Sequence, residues 1–131
     1  NFSSSRGMSD FLRLGERGEA LAWNFLRKQG YSILEKNYRT RFGEIDVIAQ
    51  KQGVVVFLEV KTRRDHTFGL PEESVDSRKQ QKLSRIAQAY LQAEGLENRA
   101  ARFDILSITW DGKSEPHFSL LEDAFTLGER W

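Results

Sequence analysis

Apolar positions along this chain switch between two spacings. Over residues 9–29 they recur with a helical period. Placed at about 100° per residue, Phe11, Leu12, Leu14, Gly15, Gly18, Leu21, Ala22, Trp23, Phe25 and Leu26 share one wide arc, with Arg13, Arg17, Asn24 and Lys28 opposite. The spacing predicts a helix over 9–29, with Ser9 or Asp10 as N-cap and Gly30 as the stop. Glu19 falls inside the arc, where a carboxylate needs a partner. Either it sits at the core boundary or pairs with Arg27, or it reaches a site elsewhere in the fold as an acidic group. Gly15 and Gly18 weaken the helix, so they mark a close approach to a sheet or a bend.

Beyond Gly30 the pattern becomes that of strands. Tyr31 to Arg39 reads as a first strand, and Thr40-Arg41-Phe42-Gly43 as a turn. Residues 43–63 carry two runs rich in Val, Ile, Leu and Phe around the break Lys51-Gln52-Gly53, which predicts a β-hairpin. A two-residue turn at Gln52-Gly53 puts Gly where φ > 0 is needed, and residues whose numbers sum to 105 then face one another. Asp46 falls opposite Glu59 and Glu44 opposite Lys61, all four on one face. A loop over about 62–74 follows. Val75 to Glu94 then reads as a second helix, with Leu83, Ile86, Ala87, Tyr90 and Leu91 as its buried stripe and Gly95 as its stop. Phe103 to Trp110 is a strand, Asp111-Gly112 opens a turn, and Pro116 to Leu121 is a short edge strand paired with it. The predicted order is α-β-β-β-α-β-β: an α/β fold with a mixed central sheet flanked by helices, which buries both faces of the central hairpin.

Composition narrows the class. Hydrophobic content of 39% and charged content of 30% allow a core with a well-solvated surface, and 131 residues suit one domain. Residues 1–7, Ser-rich and without an apolar stretch, read as an expression scar or a disordered leader ahead of Met8. Residues 8–131 read as a single domain. The absence of Cys excludes disulfides, a thiolate zinc site and a Cys nucleophile, which fits a cytoplasmic protein. No apolar run approaches the ~20 residues that span a bilayer, so no membrane partner is expected. The net charge of +1 hides an asymmetry: residues 1–102 hold 18 Lys/Arg against 13 Asp/Glu, and residues 103–131 hold 2 against 6. A basic body is compatible with a polyanionic partner.

The hairpin carries the candidate chemistry. Directly opposed residues have Cβ atoms about 4.5–5.5 Å apart. Two carboxylates that close repel unless a cation or a proton sits between them. The Asp46–Glu59 pair therefore suits a divalent metal with hard oxygen ligands, Mg²⁺ or Mn²⁺. Lys61 would lie beside the metal, where a point charge stabilises developing negative charge or positions a water. A solvent-facing strand pair with ordinary ion pairs accounts for Glu44–Lys61 but not for Asp46–Glu59. Arg39 at the strand start is a phosphate contact or an edge charge. Arg63 and Arg64 open a basic loop suited to a phosphodiester backbone; its His66 is a general base or an exposed side chain. Arg78, Lys82 and Arg85 form a helix stripe that is either solvated or phosphate-binding.

Asp46 followed by Glu59-Val60-Lys61, after a helix bearing Glu19, resembles the P-D-(D/E)-x-K nuclease superfamily. Longer stretches resemble the bacterial YraN-type family, also called UPF0102: Gly18-Glu19 with Ala22, Gly30-Tyr31, Asn37-Tyr38-Arg39, Gly43-Glu44-Ile45-Asp46 and Phe57 to Arg63. The resemblance runs from about residue 15 to 125. It implies a restriction-endonuclease-like α-β-β-β-α-β core. It implies metal ligation by Asp46, Glu59 and a main-chain carbonyl near Val60, with Lys61 as the charged catalytic partner, and it matches Glu19 to the helix carboxylate of archaeal Holliday-junction resolvases. Ile45 stands where the motif has Pro, so Glu44 and Asp46 compete as first ligand; the register partner Glu59 favours Asp46. The expected function is metal-dependent hydrolysis of DNA phosphodiesters, in branched or damaged DNA. The alternatives are a non-catalytic nucleic-acid-binding scaffold and an interaction module with a vestigial site. Symmetric cleavage of a junction would require a homodimer, which the resemblance allows.

Overall fold

The structure, a computed structural model, describes residues 17–64 and 75–125. Helix α1 occupies 17–28 of these; its predicted start at Ser9 or Asp10 and Gly15 lie outside the described residues. It stops at Gly30, which takes φ 94°, while Tyr31 N–H donates to Leu26 O and Gly30 N–H to Arg27 O. This paired closure of the last turn needs a left-handed residue, which Gly adopts without strain.

Among the described residues five strands follow the predicted order: β1 (Ser32–Thr40), β2 (Gly43–Lys51), β3 (Val54–Arg63), β4 (Ala101–Thr109) and β5 (His117–Phe125), with helix α2 (Ser77–Ala93) between β3 and β4. They form one sheet in the order β1-β2-β3-β4-β5. Only the β3–β4 pair is parallel, because α2 carries the chain back across the sheet between them. Asp76 caps α2 by accepting from Lys79 N–H at 2.9 Å. The predicted stripe Leu83, Ile86, Ala87, Tyr90 and Leu91 is buried.

Each face of the sheet carries its own core. Ile45, Ile48, Phe57, Phe103 and Ile105 pack under α2. Val47, Val56, Leu58, Leu106 and Ile108 pack with Ala22 and Leu26 of α1. This three-layer arrangement is the α-β-β-β-α-β core expected from the sequence. Val55 to Leu58 are buried in succession because both faces are covered. Each such side chain contributes roughly 1.5–3 kcal/mol. Gly18 lets α1 lie directly on β3: a Cβ there would meet Thr62 Oγ1 at 2.8 Å. Close approach, rather than a bend, is the role of this glycine.

The central turn is as predicted. Gln52 and Gly53 have φ 51° and 81°, the signature of a type I′ hairpin. Its register pairs Lys51 with Val54 and continues to Val47 with Leu58. There the β2–β3 ladder ends. Beyond it β2 stays with β1, and β3 stays with β4 as far as Arg63 with Thr109. The two central strands thus part into a fork.

A slip in alternation accompanies the fork. Ile45 and Val47 are two residues apart yet face opposite cores. In β1, Lys36 lies over the Trp23 ring of α1, whereas Tyr38 packs against the α2-side core. Between them Asn37 takes φ 52°. The pairs Lys36–Val47 and Tyr38–Ile45 keep one register, so both strands change face together at Asn37 and Asp46.

Strand β5 starts one residue after Pro116 and runs further than expected. Asp123, at φ 54°, donates its N–H to Asp104 Oδ1, and Phe125 beyond it stacks on Phe103. Residues 122–125 are therefore strand, and 126–131 lie outside the described residues. Among the described residues no helix is long and apolar enough to cross a membrane.

Candidate functional site

The fork holds the acidic pair. Asp46 leaves β2 where the ladder has ended, and its Oδ2 accepts the Val60 N–H of β3 at 2.7 Å. A side chain thus replaces the missing backbone partner. The Asp46 and Glu59 carboxyls lie in hydrogen-bond contact. The structure brings these two residues together, although not as the strand partners expected.

Glu59 faces α2, and its mostly buried Oε2 forms an ion pair with Lys79. Lys61 Nζ lies 4.0 Å from the same oxygen. Burial pushes the Asp46 carboxyl up to about 7, with the hydrogen bond and charge of Glu59 adding to it and the Val60 N–H opposing it. Burial also raises Glu59, but its hydrogen bond to Asp46 and the Lys79 ammonium outweigh this and hold it below the ordinary range. Below about pH 7 the metal-free pair therefore shares one proton between its two carboxyls. Burial lowers the Lys61 ammonium, aided by Lys79 and opposed by Glu59. Burial works against the Lys79 ammonium too, yet Glu59 raises it overall.

On the α1 side the fork opens into a cleft of about 470 Å³, whose walls include Glu19, Trp23, Asn37, Glu44, Asp46 and Thr62. Glu19 thus shares a cleft with Asp46. However, among the described residues no group of three or more His, Asp or Glu side chains gathers as a metal site. The donor set is a carboxyl pair with neighbouring backbone, and Glu19 stands across the cleft.

Glu44 departs from the expectation. It pairs with Arg39 at 2.9 Å, not with Lys61, because the ladder that would set it opposite Lys61 has already ended. The four charged residues consequently do not share one face. Arg39 is exposed and pairs with Glu44. Arg63 closes β3, its carbonyl accepting the Trp110 N–H, and Arg64 is exposed just after it. His66 lies outside the described residues. Arg78, Lys82 and Arg85 are exposed on α2 as predicted.

Two charged residues escaped the sequence reading. Lys79 lies four residues before Leu83, on the N-terminal extension of the buried stripe, where a lysine needs an acidic partner. Asp104 shares its parity with Leu106 and Ile108, which signals burial. It accepts from Tyr31 Oη at 2.8 Å and from Arg102 at 3.0 and 3.2 Å. This second cluster closes the sheet beside the β2–β3 turn.

A mixed sheet whose central strands part around a proton-sharing carboxyl pair, with two lysines beside it, defines an α/β protein with a candidate acidic centre. Residues 18–108 match the family described as "Uncharacterised protein family UPF0102". The chain belongs to this family. It is 43% identical to the UPF0102 protein of Syntrophus aciditrophicus (strain SB) over 92% of this chain and 94% of that one. It is 44% identical to that of Alkaliphilus metalliredigens (strain QYMF) over 80% and 92%. With the UPF0102 protein of Moorella thermoacetica (strain ATCC 39073 / JCM 9320) the identity is 48% over 76% and 82%. A solved structure titled "The structure of Pyrococcus Furiosus SfsA in complex with Ca2+" superposes at a TM-score of 0.40 with 13% identity, covering 82% of this chain and 63% of that one.

Proposed function

We propose that this protein is a metal-dependent nuclease that hydrolyses DNA phosphodiester bonds, in branched or damaged DNA, on a P-D-(D/E)-x-K-type core. The observation that supports this is the Asp46–Glu59 contact inside the fork, with Lys61 beside it. The residues fit a hard divalent cation. The two carboxyls sit together in a mostly buried site, a hard-oxygen donor pair that a divalent cation can hold in place of a shared proton. Asp46, Glu59 and a main-chain carbonyl near Val60 would hold Mg²⁺ or Mn²⁺, which takes one or two carboxylates and completes its shell with water. When bound, such an ion acidifies water and offsets charge on phosphoryl oxygens.

The chain's own residues supply the rest. Val60 N–H and Lys79 hold the two carboxyls in place from opposite sides. Lys61 sets a positive charge where negative charge develops on the phosphate. Glu19, across the cleft, is placed to orient a water or accept its proton. One site cuts one strand, so symmetric cutting of a junction would need a two-fold homodimer.

The test is cleavage of labelled single-stranded, duplex, flap and four-way-junction DNA, with Mg²⁺ or Mn²⁺ and with chelator. The expected result is metal-dependent cutting that the Asp46→Asn/Glu59→Gln double variant loses. No cutting on any substrate would remove the proposal. DNA binding that survives both chelator and the double variant would then favour a non-catalytic binding scaffold. The exposed stripe Arg78, Lys82 and Arg85 motivates that second reading.

A further inference from the structure

On the α2 side the β1–β2 turn carries an aromatic ring among cations. Phe42, half-buried against the core, lines a cleft of about 210 Å³ with Arg78, Gln81, Lys82 and Arg85. The Arg41 and Arg85 guanidinium groups lie 4.9 and 5.6 Å from its ring centroid. The turn is held rigidly. Thr40 Oγ1 accepts the Phe42 N–H at 3.0 Å and donates to Gly43 O at 3.2 Å. Gly43 in turn lies close to Lys82 and Ile86, where an added Cβ would stand 3.3 and 3.4 Å from their side chains. Among the described residues no carboxylate lines this cleft, and Arg78 and Lys82 have no ion-pair partner.

We propose that Phe42 and the cationic stripe of α2 form a docking track for single-stranded nucleic acid. Charge complementarity selects a polyanion. The cleft is smaller than the roughly 300–1,000 Å³ that encloses a drug-sized ligand, so it takes one flat group at a time. An aromatic ring beside arginines offers a stacking surface to an unpaired base, whose face a duplex keeps covered. Lys79, which pairs with Glu59, stands three residues before Lys82 on the same helix, so one helix serves both the track and the carboxyl pair. This deepens the nuclease reading by giving its substrate an unpaired segment. Binding in chelator can still be judged apart from cleavage.

The experiment is fluorescence anisotropy of the full chain in chelator, with a short oligothymidine and a blunt duplex of equal length. The wild type should bind the single strand about tenfold more tightly than the duplex. Phe42→Leu, which keeps the packing and removes the π-face, should weaken single-strand binding about tenfold and leave duplex binding within about twofold. Phe42→Trp should retain single-strand affinity. Arg78→Ala and Lys82→Ala should weaken both probes, each reducing the log–log salt slope for the single strand by about 0.7. Equal affinity for the two probes, binding of neither, or a Phe42→Leu variant that holds the single strand as the wild type does would overturn the proposal. Track binding without metal-dependent cutting would count against the nuclease reading alone.

Discussion

Replacing Asp46 by Asn should make the metal-free protein more stable at neutral pH and above. The amide has nearly the shape of the acid. Its oxygen can accept the Val60 N–H, as Asp46 Oδ2 does at 2.7 Å, and its nitrogen can donate to Glu59 as the protonated acid does. What disappears is an ionisation that the folded state resists. The Asp46 carboxyl moves from 3.8 to about 7 on folding, first through burial and then through Glu59. Below about pH 4 Asp46 is protonated in both the folded and the unfolded chain, so no cost arises. Between about pH 4 and 7 the unfolded chain releases this proton while the folded chain keeps it, and the folded state loses ground. Above about pH 7 the deficit levels off.

At 1.36 kcal/mol per pH unit the ceiling is about 4 kcal/mol. The opposite shift of Glu59 and partial exposure of the pair reduce the expected gain to about 1–3 kcal/mol at pH 8. Urea denaturation of both proteins in chelator, at about pH 4 and about pH 8, measures it. With Mg²⁺ in place of chelator the order should move the other way, because only the wild type gains binding free energy, about 2.7 kcal/mol at a hundredfold excess over Kd. A variant less stable than the wild type at pH 8, or a gain equal at both pH values, would refute the reasoning.

Two further outcomes concern stability alone. Gly18→Ala should lower Tm, since its Cβ would stand 2.8 Å from Thr62 Oγ1. Overpacking of about 1–3 kcal/mol exceeds the helix-propensity gain of about 1 kcal/mol, and Thr62→Ala in the same chain should restore the loss. Arg102→Met should cost about 3–5 kcal/mol in urea denaturation, because it leaves the buried Asp104 carboxylate without the cation that meets both its oxygens.

The elements that the sequence made legible are those whose signals are local. Gln52-Gly53 announces its turn through the need for φ > 0, and the register near the turn follows from it. The stripe from Leu83 to Leu91 announces the buried side of α2 through its period. The fork was not legible. Strand alternation reveals register only when one face is polar, and here both faces are buried, so Ile45, Val47 and Ile48 look alike whichever core they join. The change of face at Asn37 and Asp46 happens in both strands at once and keeps their pairing, so neither strand records it alone. For that reason the Asp46–Glu59 meeting was anticipated while Glu44–Lys61 was not realised. Both pairs lie beyond Val47–Leu58, where the ladder ends; Asp46 and Glu59 are the first residues past it and still meet, whereas Glu44 and Lys61 lie further along the parted strands.

The acidic pair itself is hard to explain as architecture. An amide at 46 would satisfy both hydrogen bonds that Asp46 makes and carry no ionisation cost. Glu59 then draws Lys79 from α2 into a half-buried ion pair, which partly desolvates both charges. By contrast, the buried Asp104 is fully engaged by Tyr31, Arg102 and the Asp123 N–H, as a structural carboxylate should be. One chain therefore holds both cases: a carboxylate saturated by protein donors, and a carboxyl pair that completes itself with a borrowed proton. Under the proposed function, the cost at the fork is one that a site kept for chemistry would carry. That contrast makes the fork, rather than the Asp104 cluster, the place to look for a bound cation.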